Sequence, residues 1–272
     1  MTNINLLQTL KPNNVGEDYI VGDIHGHFDK LDAKLEEICF NYEKDRLIVV
    51  GDLIDRGPRS NEFLEYLNKD WFYTVRGNHE DFLVNCVGYI LNRIPMEQHV
   101  FNITYNTWMG NGGRWFEQLL ETTPEDEKVD LLIALYDTVA ELPFFMEIPV
   151  GDKKVGVVHA ELREVDSWND IHAIAKGGQP PAHTDIDTLL RDALWSRSRF
   201  EKCASTAAFV PDHLFVEEEI KDVDAIFCGH TPVIQYTSEV PLTIGNHHYI
   251  DTCVYSSMYE DFQIIKLSEF LN

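Results

Sequence analysis

Carboxylate, imidazole and carboxamide side chains recur in this chain in five short segments, each beside an apolar run. The segments are Gly22-Asp23-Ile24-His25-Gly26, Gly51-Asp52-Leu53-Ile54-Asp55-Arg56-Gly57, Arg76-Gly77-Asn78-His79-Glu80, Val158-His159-Ala160 and Gly229-His230-Thr231-Pro232. Asp, His and Asn supply oxygen and nitrogen lone pairs for hard or borderline divalent cations, and imidazole with carboxylate suits Mn, Fe or Zn more than Ca. Arg56 adds a guanidinium, which grips two phosphate oxygens at once where lysine cannot. The set predicts two divalent metals holding a phosphate. A lone Asp-x-His after a strand is more often a turn than a ligand pair; five such segments in one chain favour a site.

The elements that must carry these residues are legible in outline. Apolar, β-rich runs at residues 19–21, 47–50 and 71–75 adjoin the first three segments, and ligands of open α/β sheets bind beyond the carboxyl ends of the strands. Residues 28–40 place Phe28, Leu31, Leu35 and Ile38 at helical spacing, and residues 61–67 and 79–91 also read as helices. Residues 47–50 are apolar throughout, as a strand buried on both faces requires. The resulting β-α-β-α-β order predicts a parallel sheet. Residues 114–142 read as two helices broken at Thr122-Thr123-Pro124, with Thr123 placed to cap the second. Strands are expected at 144–150 and 154–158, joined by a turn at Gly151-Asp152. Further strand-like runs at 225–228, 248–251 and 262–267 predict a second, more antiparallel sheet packed on the first. Residues 162–189 lose periodicity around Gly177-Gly178-Gln179-Pro180-Pro181 and read as a loop insertion, either rimming the site or lying on the surface.

With 272 residues, 44% of them hydrophobic, the chain can bury a large core. The five segments run from Asp23 to His230, so any cut between them would split the site; one domain spanning 1–272 is expected. Five cysteines without a Cys-x-x-Cys pair point to a reducing compartment. Residues 1–14 lack the pattern of a signal peptide, and no stretch approaches the roughly 20 apolar residues of a membrane helix, so a cytoplasmic protein with no membrane partner is expected. A net charge of −24 argues against nucleic acid, whose phosphates are bound through Lys and Arg. A phosphate site in so acidic a chain must be locally positive, and two divalent cations outweigh the carboxylates of Asp23 and Asp52.

The order of these segments, together with Trp195-Ser196-Arg197, resembles the phosphoprotein phosphatase family of metallophosphoesterases, in particular its bacterial and phage lambda-type serine/threonine protein phosphatases. Asn111-Gly112-Gly113, Glu141-Leu142-Pro143 and Ile250-Asp251-Thr252 are similar to the same branch. The resemblance runs from Tyr19 to Thr252 and implies an α/β four-layer sandwich, two mixed β-sheets flanked by helices. It implies that Asp23 and His25 hold one metal, that Asp52 bridges both, and that Asn78, His159 and His230 complete the second. Manganese is the metal the similar bacterial enzymes favour, with Fe or Zn as alternatives. Such metals lie about 3.5–4 Å apart and act together on the substrate oxygens. Arg56 and Arg197 match phosphate-gripping arginines, His79 the general acid for the leaving oxygen, and Asp55 the carboxylate that orients His79 and favours its charged form. The implied reaction is hydrolysis of phosphoprotein or phosphopeptide by direct attack of a hydroxide held between the metals, without a phosphoenzyme.

Two other functions share the scaffold: a symmetrical dinucleoside tetraphosphate hydrolase, and a non-catalytic phosphate-binding protein, which would have lost a metal ligand or His79. Arg199 lies close enough to stand in for Arg197. His27, His99, His172, His183, His213, His247 and His248 match no motif. The Gly110-Asn111-Gly112-Gly113 stretch lacks the Lys-Ser/Thr of a P-loop and reads as a turn. Trp108, Trp115 and Trp195 either line the cleft or pack in the core, core packing being the favoured reading, and Glu80 reads as a support for its loop. The eukaryotic Gly-Gly-Leu-Ser-Pro continuation is replaced by Ala160-Glu161-Leu162, and Cys253 stands where the phage-type pattern has glycine.

Overall fold

The computed structural model describes residues 4–163, 165–207, 219–236, 240–256 and 262–272; of the histidines above, His213 lies outside them. Among the described residues the strands are β1 (Leu7–Thr9), β2 (Asp18–Val21), β3 (Arg46–Val49), β4 (Phe72–Thr74), β5 (Phe145–Val150), β6 (Lys153–Val158), β7 (Ala225–Cys228), β8 (Leu242–Ile244), β9 (His247–Tyr249) and β10 (Ile264–Lys266). They form a four-stranded sheet in the order β10-β2-β3-β4 and a six-stranded sheet in the order β1-β5-β6-β7-β9-β8.

Period-two alternation divides each buried strand between two cores. Ile20, Ile48, Val155, Val157, Ala225 and Phe227 point between the sheets. Val21, Leu47 and Val49 face helices on one side, and Val158, Ile226 and Cys228 face helices on the other. Strand β3 is thus covered on both faces, which explains the unbroken apolar run at residues 47–50. The first helical layer holds α1 (Phe28–Glu37), α2 (Phe63–Leu67), α3 (Asn78–Ile90), α4 (Gln98–Trp108), α5 (Arg114–Thr122) and α6 (Lys128–Ala140). Facing the six-stranded sheet are α7 (Trp168–Ala175), α8 (Ile186–Trp195) and α9 (Ser198–Ala207), and α10 (Leu267–Phe270) closes the chain. The four layers match the expected sandwich. Among the described residues no helix is long and apolar enough to cross a membrane.

Several local expectations are corrected. The 262–267 run contributes β10 to the first sheet, antiparallel to β2, rather than to the second. The second sheet is mixed: β1–β5, β6–β7 and β7–β9 pair parallel, whereas β5–β6 and β8–β9 pair antiparallel. The 162–189 region contains α7, where Ser167 Oγ accepts from Asn169 N and Asp170 accepts from Ser167 N while Trp168 and Ile171 are buried. Thr123 ends α5 instead of starting α6; its hydroxyl donates to Leu119 O at 2.7 Å, and Glu127 precedes the next helix. Residues 109–113 form a wide helical turn rather than a simple one. Helix α4 and strands β1 and β8 carry no pattern long enough to have been expected.

Candidate active site

Each of the five segments leaves the carboxyl end of a strand, whereas Trp195-Ser196-Arg197 lies at the carboxyl end of α8. Residues 22–27 follow β2, 50–57 follow β3, 75–79 follow β4, Val158-His159-Ala160 ends β6, and 229–232 follow β7. Because β2, β3 and β4 run parallel, as do β6 and β7, each set delivers its loops to one end of its sheet. Sharp turns then fold the loops inward. His25, Asp52, Asp55, Arg56 and His230 all adopt left-handed φ values, 46°, 51°, 74°, 68° and 63°, and non-glycine residues held there mark strain of order 1–3 kcal/mol each that clusters at functional sites. Gly229 is needed for close approach, since a Cβ there would lie 2.0 Å from an Asp23 oxygen.

The loops are tied to one another. Asp52 O accepts from Ile24 N and His25 N (3.1 and 2.8 Å), and Leu53 O accepts from Gly26 N (2.7 Å). The buried Glu80 carboxylate accepts from Gly77 N, Asp52 N and Leu53 N at 2.8–2.9 Å. It therefore supports the loop as expected, and burial, with Asp52 nearby, pushes its carboxyl up to about 7. Gly77 caps α3, whose amino-terminal N–H groups and dipole favour an anion at this end of the sheet.

Two groups of donors converge on Asp52. His25, Asp52 and His79 bring ligand atoms within 4.8 Å of one another, and so do Asp52, His159 and His230. His25 Nδ1 lies 3.0 Å from Ile54 O and His159 Nδ1 lies 2.8 Å from Val50 O. Such contacts fix the tautomer by taking the Nδ1 proton and leave Nε2 as a lone pair. Burial holds both rings below their ordinary pKa, His25 well below, aided there by the Arg56 charge. His159 Nε2 then faces Asn78 Oδ1 at 2.9 Å and Asp52 Oδ1 at 3.4 Å, lone pair against lone pair. His230 is likewise held well below its ordinary value by burial, and its buried Nε2 has no hydrogen-bond partner.

The carboxylates make the same demand for positive charge. Asp23, Asp52 and Asp251 are all buried. Burial and its two acidic neighbours raise Asp23 well above its usual range, and burial, with Asp52 nearby, pushes Asp251 up to about 6. Burial would raise Asp52 too, but the imidazoles of His159, His79 and His25 hold it below its usual value. Converging neutral imidazoles, an orphaned ring nitrogen and crowded carboxylates fit divalent cations. Asp23 is tied to the backbone of His230. Its oxygens accept from His230 N at 3.0 and 3.2 Å, and it belongs to neither group of converging donors.

His79 differs from the other rings. Its Nδ1 is 2.5 Å from Asp55 Oδ2, and although burial opposes its charge, Asp52 and Asp55 raise it above its ordinary value. Its charged form, which these carboxylates favour, has no lone pair to offer a metal. Arg56 reaches between two of these histidines, Nη1 2.7 Å from His25 Nε2 and Nη2 3.0 Å from His79 Nε2, with Tyr255 under its guanidinium at 4.2 Å. Arg197 donates to His230 O at 2.9 Å and lines a cleft of about 340 Å³ with Arg163, Arg191 and Trp195. Arg199 is buried, its backbone N–H is bound to Glu161, and it does not line that cleft.

Residues 19–233 match the family described as calcineurin-like phosphoesterase, most of the chain. The chain belongs to that family. It is 31% identical over 248 residues to serine/threonine-protein phosphatase 2 of Salmonella typhimurium, covering 91% of this chain and 92% of the relative. The protein of the same name from Escherichia coli (strain K12) is 34% identical over 155 residues, 57% of this chain and 62% of the relative, so that alignment spans under two thirds of its length. A symmetrical bis(5'-nucleosyl)-tetraphosphatase of Psychromonas ingrahamii is 48% identical over 64 residues, 23% of either chain.

Three features of this phosphoesterase were not read as site features from its sequence. Asp251 follows β9 as the other acidic residues follow their strands, and that shared position was the available signal. Cys253 donates its N–H to Asp251 Oδ1 at 2.7 Å and sits at φ 56°, which accounts for a pattern that favours glycine there. Trp108 and Trp115 both donate to Asp55, although the bulk of each packs in the core as expected. Glu161 ties the 196–200 segment to β9, and its only sequence signal was its distance of two residues from His159.

Proposed function

We propose that the protein is a metal-dependent phosphomonoesterase acting on serine/threonine phosphoproteins. The observation that carries this reading is the buried His79–Asp55 pair at the place where two donor groups share Asp52. Asp23, His25 and Asp52 would hold one divalent ion and Asp52, Asn78, His159 and His230 a second, with manganese the expected metal and a phosphopeptide the expected partner. When bound, such ions supply Lewis-acid stabilisation of the phosphoryl oxygens and a water acidic enough to attack phosphorus. The residues do the rest. Arg56, placed between His25 and His79, and Arg197, beside His230, bind phosphoryl oxygens through charge-assisted hydrogen bonds. His79 Nε2 gives its proton to the departing oxygen, and Asp55 keeps the ring turned and charged for that transfer.

The alignment over nine tenths of the chain with relatives named serine/threonine phosphatases supports a phosphoprotein substrate. A second reading, symmetrical dinucleoside tetraphosphate hydrolysis, is favoured by the 64-residue stretch of high identity to the tetraphosphatase. Turnover of phosphoserine and phosphothreonine peptides against diadenosine tetraphosphate, each with added Mn, separates the two. Faster peptide hydrolysis is expected; a large preference for the dinucleotide would overturn the phosphoprotein reading and leave the metal-dependent chemistry standing.

A further inference from the structure

The Asp55 carboxylate, fully buried, is held from behind by two tryptophans that no motif includes. Trp115 Nε1 donates to Oδ1 at 2.6 Å, and Trp108 Nε1 donates to Oδ2 at 2.9 Å and Oδ1 at 3.2 Å. Oδ2 also receives His79 Nδ1, so the oxygens are committed on both sides. An indole N–H donates and never accepts, and it cannot turn without moving the whole ring. Both rings are locked by neighbours, Trp108 by Phe116 with centroids at 5.0 Å and Trp115 by Phe63 at 6.0 Å. Seven residues of uninterrupted helix advance about 10.5 Å, too far for positions 108 and 115 to share one carboxylate comfortably. The turn at 109–113 folds that distance up. Its Gly112 sits at φ 110°, where a Cβ would lie 2.5 Å from Arg56 N, and Gly112 O accepts from that same nitrogen at 3.4 Å.

We propose that Trp108 and Trp115 are positioning residues: their indole N–H groups clamp the Asp55 carboxylate, which in turn aims His79 Nε2 at the departing ester oxygen. The Met109–Gly113 turn is what brings both donors to one side of Asp55 while it braces Arg56. Two donors from separate directions fix a carboxylate whose terminal torsion is otherwise broad, and catalytic groups need such support to stay within about 0.5 Å of their productive place. The kinetic part of this proposal rests on the phosphomonoesterase reading; the clamp itself does not.

Indole ¹⁵N–¹H spectra of the metal-free protein test the clamp. The five tryptophans give five indole signals, and Asp55→Asn is expected to move those of Trp108 and Trp115 while leaving Trp71, Trp168 and Trp195 in place. Kinetics test the role. Trp115 is only half-buried, so Trp115→Phe decides where the fully buried Trp108 would also test packing. With metal content and KM unchanged, that variant should lower kcat about tenfold on an alkyl phosphomonoester and under about twofold on p-nitrophenyl phosphate, a share of the roughly 10²–10⁴-fold that proton transfer contributes. Trp115→His, which keeps a ring N–H, should recover part of the loss, and Trp115→Phe should add nothing to Asp55→Asn. Unmoved indole signals in Asp55→Asn, or equal losses on both esters, would overturn the proposal. A wild-type protein inert toward both esters would overturn the phosphomonoesterase reading, with the indole signals still deciding the clamp.

Discussion

Glu80 and Glu161 are both fully buried carboxylates that accept several hydrogen bonds, and they organise opposite sides of the cleft. Glu80 sits in the first turn of α3 and binds backbone N–H groups of Gly77, Asp52 and Leu53, all within predicted site segments. Glu161 lies two residues beyond His159 and accepts from Ser196 Oγ (2.8 Å), Arg199 N (3.1 Å), Phe200 N (3.0 Å) and Tyr249 OH (3.0 Å). The four-stranded side is stitched loop to loop through its own backbone, as the Asp52 and Leu53 carbonyls show. On the six-stranded side Arg197 is placed by a side chain reaching across the fold. The difference separates two tasks. The proposed shared ligand and acid, where small displacements cost most, stand on the self-bonded side, and one proposed phosphate grip stands on the side assembled at long range.

Asp52 is the residue on which the two sides meet, so Asp52→Asn should have the largest effect. Amide for carboxylate removes a charge from both donor groups at once, and activity on every phosphoester should fall beyond the roughly 10²–10³-fold that loss of one electrostatic donor costs. Chelation of the wild type should do the same, with Mn restoring it. Elemental analysis should find both metal equivalents reduced in the variant; two retained metals with normal turnover would show that the sides do not share this residue.

Next in size is the acid. His79→Asn should cost about 10²-fold on alkyl phosphomonoesters and little on activated aryl esters, since a proton matters most to a basic leaving group. The pH profile sharpens the assignment. The acid works while protonated, so its loss appears as a fall in rate as pH rises. Burial opposes that proton, but Asp52 and Asp55 outweigh it and lift His79 above its ordinary value. Asp55→Asn removes one of the two, so the fall should move to lower pH; movement to higher pH would contradict the pairing.

The two sides also differ in how far their sequence revealed them. The strand-ending segments from Asp23 to Glu80 were legible because each pairs an apolar run with a short polar turn, and local pattern sufficed. The β-α-β-α-β order, the helix at residues 78–90 and the break between α5 and α6 were legible for the same reason. What escaped is non-local or brief. Helix α4 buries only Trp108 among its eleven residues, so it shows little amphipathic signal. The three-residue strands β1 and β8 are too short for alternation to register. Helix α7 was hidden by the Gly-Pro-rich stretch that follows it, and its cap at Ser167 was the overlooked clue. No spacing rule relates Trp108 or Trp115 to Asp55, more than fifty positions away.

A smaller effect is expected from the arginines, one on each side. Arg56→Ala and Arg197→Ala should each cost about 1.5–3 kcal/mol of transition-state binding, the worth of a hydrogen bond to a charged group. Both should weaken inhibition by free phosphate without changing metal content. Arg56 is braced at its backbone by Gly112, whereas Arg197 is exposed at the start of α9, so Lys should rescue position 197 better than 56. The buried Arg199 should instead lose thermal stability on truncation, with phosphate inhibition intact. If Arg199→Ala weakens phosphate binding and Arg197→Ala does not, the cleft assignment is displaced by two residues.

The smallest expected effect on turnover separates the two glutamates themselves. Glu161→Gln keeps the shape but points an amide donor at groups that already donate, leaving at least one of Arg199 N, Phe200 N, Ser196 Oγ and Tyr249 OH unpaired. An unsatisfied buried polar group costs about 1–3 kcal/mol, and for a chain of this size each kcal/mol lowers Tm by about 2–4 °C. Because this network holds the segment bearing Arg197 and no metal donor, kcat should fall less than about tenfold, phosphate inhibition should weaken, and metal content should stay at the wild-type level. Glu80→Gln should do the reverse. It unpairs N–H groups of Asp52, Leu53 or Gly77, so Asp52 shifts and metal binding weakens before any change in phosphate affinity is seen. Paired metal analysis and phosphate titration of the two variants decide the matter. Metal loss in Glu161→Gln with full loading in Glu80→Gln would invert the division of labour and place the rigid half of the site on the six-stranded sheet.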